Sequence, residues 1–160
     1  MDEPHGFREW AEQVPQLMRE DPIWRLPAYR YALYLEDLVQ ADIPLIHRDI
    51  RTRAHVDQLL NALGSISANI AEGYSRSTGP DRAKFFEYAH SSAREAREWL
   101  FKVRHALDPD TFLQRMELVS RIMRILIVAI PRERSDRESR IRRAPRGRQS
   151  KPIDRPAERG

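Results

Sequence analysis

Phe86, Ala89, Ala93, Ala96, Leu100, Val103 and Leu107 follow one another at intervals of 3 and 4 without a slip. That spacing returns to one side of an α-helix every two turns, and the two-residue period of a strand cannot produce it. A chain with such a seam must bury it against other helices. Two more seams flank it: Val56, Leu59, Leu63, Ile66 and Ile70 before it, and Phe112, Met116, Val119, Met123, Leu126 and Ile130 after it. A further helix is predicted from about Pro27 to Ala41, with Ala28, Ala32, Leu35, Leu38 and Val39 on its buried side. No period-two alternation competes, and no Asn-Gly or Asp-Gly hairpin turn occurs. The fold class is therefore all-α, an antiparallel up-and-down four-helix bundle joined by short turns.

Punctuation sets the boundaries. Residues 1–22 read as a short N-terminal helical extension, interrupted by Pro15 and ended by Asp21-Pro22; residues 23–130 read as the bundle. Pro44 places a loop or short turn over Ile43–Arg51, and Thr52 reads as the N-cap of the next helix. Ser75–Pro80 forms a turn, and Gly79-Pro80-Asp81 opens the third long helix with proline and an acid in its first turn. Asp108-Pro109 ends it and starts the fourth. Residues 131–160, with many Arg and four Pro, bury too little apolar surface to offset ordering entropy and are expected to be a disordered Arg-rich tail.

Charge has to be split before it is read. The net charge of +4 combines a tail of +6 (11 basic, 5 acidic residues) with a body, residues 1–130, of −2 (17 basic, 19 acidic). The basic character belongs to the tail, so nucleic-acid binding by the bundle cannot rest on overall charge. The chain has no cysteine, which removes disulfides, thiolate metal sites and cysteine nucleophiles and fits a reducing, cytoplasmic setting. No signal peptide or membrane span is expected, since Ile122–Ile130, the most apolar run, is far shorter than the roughly 20 residues a membrane helix needs.

Ser65 to Arg76 is the most distinctive run. Ile66, Ile70 and Tyr74 make an apolar face, and Ser65, Asn69, Glu72 and Arg76 make a polar stripe beside it. Glu72 precedes Arg76 by four residues, the favourable order for an intrahelical pair. Gly64 and Gly73 are expected to mark close helix approach or, for Gly73, the helix end. No Gly-x-Gly-x-x-Gly or Gly-Lys-Ser/Thr motif is present, so neither glycine belongs to a phosphate loop of that kind. Glu87-x-x-His90 has the spacing used in di-iron bundles, but that site needs two such units and two more Glu, so no metal, cofactor or small-molecule substrate is expected. No catalytic arrangement can be nominated from spacing. Phe85, Tyr88 and Trp99 beside the third seam, and Ile122, Ile125, Ile127 and Val128 off the fourth, exceed what one stripe needs. Hiding about 400 Å² of such surface per subunit is worth roughly 10 kcal/mol before entropic costs, which predicts a homo-oligomer.

The run Ser65-Ile66-x-x-Asn69-Ile70-Ala71-Glu72-Gly73 with Arg76, followed by Phe86 and Ala89-x-x-Ser92-Ala93-x-Glu95, resembles the signature of the bacterial four-helix bundle proteins, also called 23S rRNA intervening-sequence proteins. The resemblance covers about residues 24–130. It implies a ring-like homopentamer and the motif residues Ser65, Asn69, Glu72, Gly73, Arg76, Ser92 and Glu95. Through a related branch, the accessory variability determinant proteins of diversity-generating retroelements, it implies a reverse transcriptase and nucleic acid as partners. Where many members carry basic residues after a Gln, this chain has Gln58-Leu59-Leu60-Asn61-Ala62.

The motif reads as an assembly device, with Asn69 and Glu72 facing groups such as Ser92 and Glu95 across helices or subunits. The function expected is that of a non-enzymatic accessory or scaffold protein that binds RNA or DNA non-specifically. The residues expected to do so are Arg76, Arg82 and Arg97 of the bundle and Arg140, Arg142, Arg143, Arg146 and Arg148 of the tail. The alternative is a protein-interaction adaptor that docks a reverse transcriptase.

Overall fold

The computed structural model describes residues 3–143, with side chains to residue 135. Its long helices are α3 (Pro27–Arg48), α4 (Val56–Tyr74), α5 (Gly79–Val103) and α6 (Pro109–Arg143), preceded by the short α1 (Phe7–Gln13) and α2 (Gln16–Glu20). α3 packs on α4, α4 on α5, α5 on α6, and α6 back on α3, which closes an antiparallel ring around one core. The seams of α4 and α5 are buried at every expected position.

Local chemistry starts and stops these helices. Thr78 caps α5: its hydroxyl accepts from the Asp81 N–H at 3.3 Å. Asp108 caps α6 by accepting from the N–H groups of Asp110 (3.1 Å) and Thr111 (3.0 Å), and hydrogen bonding from the Thr111 side chain first, then from these N–H groups, holds its carboxyl below its usual range. Gly6 precedes α1 at φ +75°, a conformation that favours glycine, and a Cβ there would meet the Tyr34 hydroxyl at 2.8 Å. That hydroxyl donates to the His5 carbonyl at 2.8 Å. Phe7 sits edge-on against Tyr31 (centroids 5.0 Å apart), and the Trp10 indole donates to Asp37 at 2.7 Å. The N-terminal extension is thus pinned to α3 and adds Phe7 to the common core.

Two prolines placed beyond helix ends, Pro44 and Pro131, lie inside helices. α3 continues through Pro44 to Arg48, and α6 through Pro131 to Arg143. Each proline removes one helical N–H, but both stand on exposed faces, where water can serve the carbonyl left over. Tertiary contacts continue beyond each proline. Ile46 is fully buried past Pro44. Past Pro131, Glu133 pairs with Arg82 (3.1 Å) and Arg134 pairs with Glu87, so α6 is tied to the first turns of α5. The tail therefore does not begin at residue 131; residues 144–160 lie outside the described residues.

Three further expectations are corrected. Thr52 does not cap α4. Its buried hydroxyl donates backward to the Ile46 carbonyl (2.6 Å), and a 3-10 turn, Arg53–His55, intervenes before the helix. Leu38 is only partly buried, whereas Tyr31, Tyr34 and Ile46 join the buried side of α3. The buried face of α6 is rotated: Arg115, Leu118 and Ile122 are buried with Val119, Met123 and Leu126, while Phe112, Met116 and Ile130 lie at its margin.

The rotation places a charge in the core. Arg115 makes two bonds to Asp42 of α3, Nε to Oδ2 at 2.9 Å and Nη2 to Oδ1 at 3.2 Å, with both side chains almost wholly buried. Asp42 lies between Leu35, Val39 and Ile46 at core spacing, so the pair holds α3 and α6 in one register. No helix among the described residues is long and apolar enough to cross a membrane.

Candidate functional site

The distinctive run occupies the last turns of α4, where the chain reverses into α5. Its polar side chains bond within their own helices. The Ser65 hydroxyl donates to the Asn61 carbonyl at 2.7 Å, and the Asn69 amide donates to the Ser65 carbonyl at 2.7 Å. Ser92 donates to the Tyr88 carbonyl at 3.0 Å, and Glu95 accepts from the Trp99 indole at 3.3 Å. Within one chain, the described bonds do not join Asn69 or Glu72 to Ser92 or Glu95, which corrects that pairing as an intrachain contact. The physical reason is reach: a short side chain on a helix finds the carbonyl one turn back before it finds a neighbouring helix.

Gly73 is the motif residue whose reason is intrachain packing. A Cβ built on it would stand 2.9 Å from the Phe85 Cβ and 3.1 Å from the edge of the Phe86 ring. The missing side chain lets α4 and α5 close on each other at the turn. Gly64 differs, because a Cβ there would meet only Glu36 Oε1 at an ordinary 3.6 Å. Beyond Gly73, Arg76 pairs with Glu72, and its guanidinium stands 4.6 Å from the centre of the Phe85 ring. Phe85 meets Tyr88 edge-on at 5.7 Å. Glu72, Arg76 and Phe85 thus form a stacked clasp across the turn.

Side chains expected to be surplus to one bundle divide. Ile122 is in the core; Phe85 is covered by Arg76; Trp99 lies against His55 (5.4 Å) with Lys102 above it at 3.7 Å. Tyr88, Phe101, Leu113, Ile127 and Val128 remain about half exposed.

The arginines expected to contact nucleic acid also divide. Arg76 and Arg82 have carboxylate partners, Glu72 and Glu133. Arg97 lines an open groove between α5 and α6 with His90, Arg94 and Arg124, and among the described residues these three arginines have no ion pair. Arg140, Arg142 and Arg143 fall on the last turn of α6, where side chains are not described; Arg146 and Arg148 lie outside the described residues. Burial lowers the pKa of His90, and Arg94 and Arg97 lower it further. That setting opposes a cation at the Glu87-x-x-His90 unit, whose glutamate is engaged by Arg134. Among the described residues no group of three or more potential metal ligands converges.

Neither Arg94 nor Arg124 is singled out from the sequence. The signal present was His90, Arg94 and Arg97 at i, i+4 and i+7, a single stripe on α5. Only the packing of α6 supplies the fourth side chain.

No curated protein matches the chain. The sequence pattern of the 23S rRNA-intervening sequence protein family matches residues 45–128, slightly more than half of the chain, from the end of α3 through the buried part of α6. The chain belongs to the 23S rRNA-intervening sequence protein family.

Proposed function

We propose that this protein is a non-enzymatic, oligomeric bundle, pentameric in its working form, that serves as a nucleic-acid-associated accessory or scaffold and binds RNA or DNA without base specificity. The observation that carries the reading is the segregation of charge. Residues 131–160 hold a net +6, and α6 carries the first part of that stretch past the start of α5 as a helix. In an assembly of several chains, such arms act together on one strand, so weak contacts sum to useful avidity. The half-exposed Tyr88, Phe101, Leu113, Ile127 and Val128 are available for assembly.

The test is fluorescence anisotropy with labelled RNA and DNA over a salt series, using the full chain and a variant with Arg140, Arg142, Arg143, Arg146 and Arg148 changed to Gln. The parent should bind both, and log Kd should rise linearly with log salt, by roughly 0.7 per phosphate contacted on a single strand. The variant should bind more weakly and with a shallower slope. Parent affinity indifferent to salt would sink the reading.

A second reading, an adaptor that docks a partner protein such as a reverse transcriptase, is favoured by the body charge of −2 and by the exposed apolar residues. It predicts co-purification with the partner that survives high salt, whereas nucleic acid would be lost.

A further inference from the structure

The arginines of the bundle sort by flank. On α5, the motif flank carries Tyr88, Ser92, Glu95 and Trp99, and the groove flank carries His90, Arg94, Arg97 and Phe101. At about 100° per residue these stripes lie on nearly opposite sides of the helix, with the buried seam between them. The motif flank is chemically occupied, with Arg76 held by Glu72 and Phe85. The groove flank is not. Across it, α6 contributes Ser120, Met123, Arg124 and Ile127, and the groove, of about 420 Å³, has no carboxylate in its lining. Two acids on the same helices are engaged elsewhere: Glu87 by Arg134 and Glu117 by Arg121. Glu98, one turn beyond Arg94, makes no ion pair with it.

Like charges gathered without counter-ions cost stability, so a fold that holds three arginines around one groove implies an external anion. The dimensions favour a chain of phosphates. His90 to Arg97 spans about 10 Å along the helix, too far for one phosphate to reach every donor. Ile127, more than half exposed, offers an apolar surface for a sugar or base edge. Phe101 ends the stripe as a half-exposed ring, with the Arg104 guanidinium 4.0 Å from its centre. Basic donors interleaved with apolar surface are the components of non-specific single-strand binding.

We infer that the α5–α6 groove is a backbone clamp for single-stranded nucleic acid, in which Arg94, Arg97 and Arg124 bind successive phosphates and Ser120 donates to one of them. The inference rests on the nucleic-acid reading above and places its contact on the bundle flank away from the family motif. A phosphate chain in the groove also supplies negative charge beside His90, which favours its protonation against the neighbouring arginines.

The experiment uses the full chain and a labelled oligouridine of about 15 nucleotides, near the upper end of single-strand site sizes. The triple variant R94Q/R97Q/R124Q should bind about tenfold or more weakly, and its salt slope should shrink by about 2, the loss of three contacts at roughly 0.7 each. R94K/R97K/R124K should retain most affinity, and R53Q, in the exposed turn before α4 and outside the groove, should bind as the parent does. The triple Gln variant should melt no lower than the parent, since it relieves like-charge repulsion, and should keep its solution mass, so lost binding reports the groove and not the fold. Inorganic phosphate and poly-glutamate at equal charge should displace the oligonucleotide poorly. No binding by the parent overturns the nucleic-acid reading and the clamp together. Parent-like binding by the triple Gln variant, with loss in the tail variant, overturns the clamp alone. Efficient displacement by poly-glutamate overturns the assignment to nucleic acid in favour of an acidic peptide.

Discussion

Replacing Gly73 with alanine sets two effects of opposite sign against each other. A glycine within a helix costs about 1 kcal/mol relative to alanine, so the substitution gains up to that amount from local propensity. Against it stands a new Cβ 2.9 Å from the Phe85 Cβ and 3.1 Å from two atoms of the Phe86 ring. The Phe85 Cβ moves only with the α5 backbone, and Phe86 is buried, so a rotamer change cannot relieve both contacts. The helices must separate by a few tenths of an ångström at the turn, and overpacking of this kind costs about 1–3 kcal/mol. Subtracting the propensity gain leaves a net loss of up to about 2 kcal/mol, centred near 1 kcal/mol, which in a chain of this size lowers Tm by roughly 2–4 °C. Gly64→Ala is the internal control, because its Cβ meets only Glu36 Oε1 at 3.6 Å. It should gain about 0.5–1 kcal/mol and raise Tm by roughly 1–4 °C. The assay is thermal unfolding followed by circular dichroism at one protein concentration, since association shifts apparent stability. Equal or higher Tm for Gly73→Ala refutes the close-approach account of the motif glycine.

Other expectations follow from single contacts. Arg115→Met alone should cost about 3–5 kcal/mol by urea unfolding because it strands the buried Asp42 carboxylate, whereas Asp42→Leu with Arg115→Met should recover most of that loss; additive losses would contradict a buried pair. His90 has a folded pKa below its ordinary value of 6.5, through burial and then Arg94 and Arg97, with Arg124 facing the same groove from α6. Its contribution to stability is therefore present above about pH 6.5 and lost as pH falls through the folded value, and His90→Gln should flatten that part of the stability–pH curve. The Asp49 carboxyl is held at about 2, chiefly by its bonds to Arg51, so its contribution persists above its ordinary 3.8 and disappears only as pH falls through about 2; Asp49→Asn should lower the curve evenly above about pH 5 and flatten its fall between about pH 4 and 2 in the same unfolding assay. Asn69→Ala should shift the solution mass or the Tm if the motif stripe is an assembly surface, and light scattering with a melt of the same sample decides it.

Much of the bundle is legible in the chain because amphipathic spacing survives any tertiary context. The seams of α4 and α5 are buried residue for residue where the 3 and 4 intervals place them. The prolines were misleading because their cost is local and finite, while Ile46 and the Glu133 and Arg134 pairs sit past them on contacts that no local rule contains. The rotation of α6 was hidden because Ile122, Ile125, Ile127 and Val128 make several faces apolar, and only the position of Asp42 across the interface selects the face that includes Arg115. Asp42 and Arg115 do carry a sequence signal: each is a lone charge at seam spacing among buried neighbours.

The candidate site follows the same division. The chain by itself determines the helical class, the family motif and the confinement of excess positive charge to residues 131–160, because period, residue identity and charge count are properties of linear order. Tertiary packing alone decides which arginines are neutralised and which stand together. Arg82 meets a carboxylate 51 positions away at Glu133, while Arg94, Arg97 and Arg124 meet one another's field across a groove that exists only when α5 and α6 are antiparallel in this register. Charge interactions depend on distance in space, and a sequence specifies distance only along the helix that carries it.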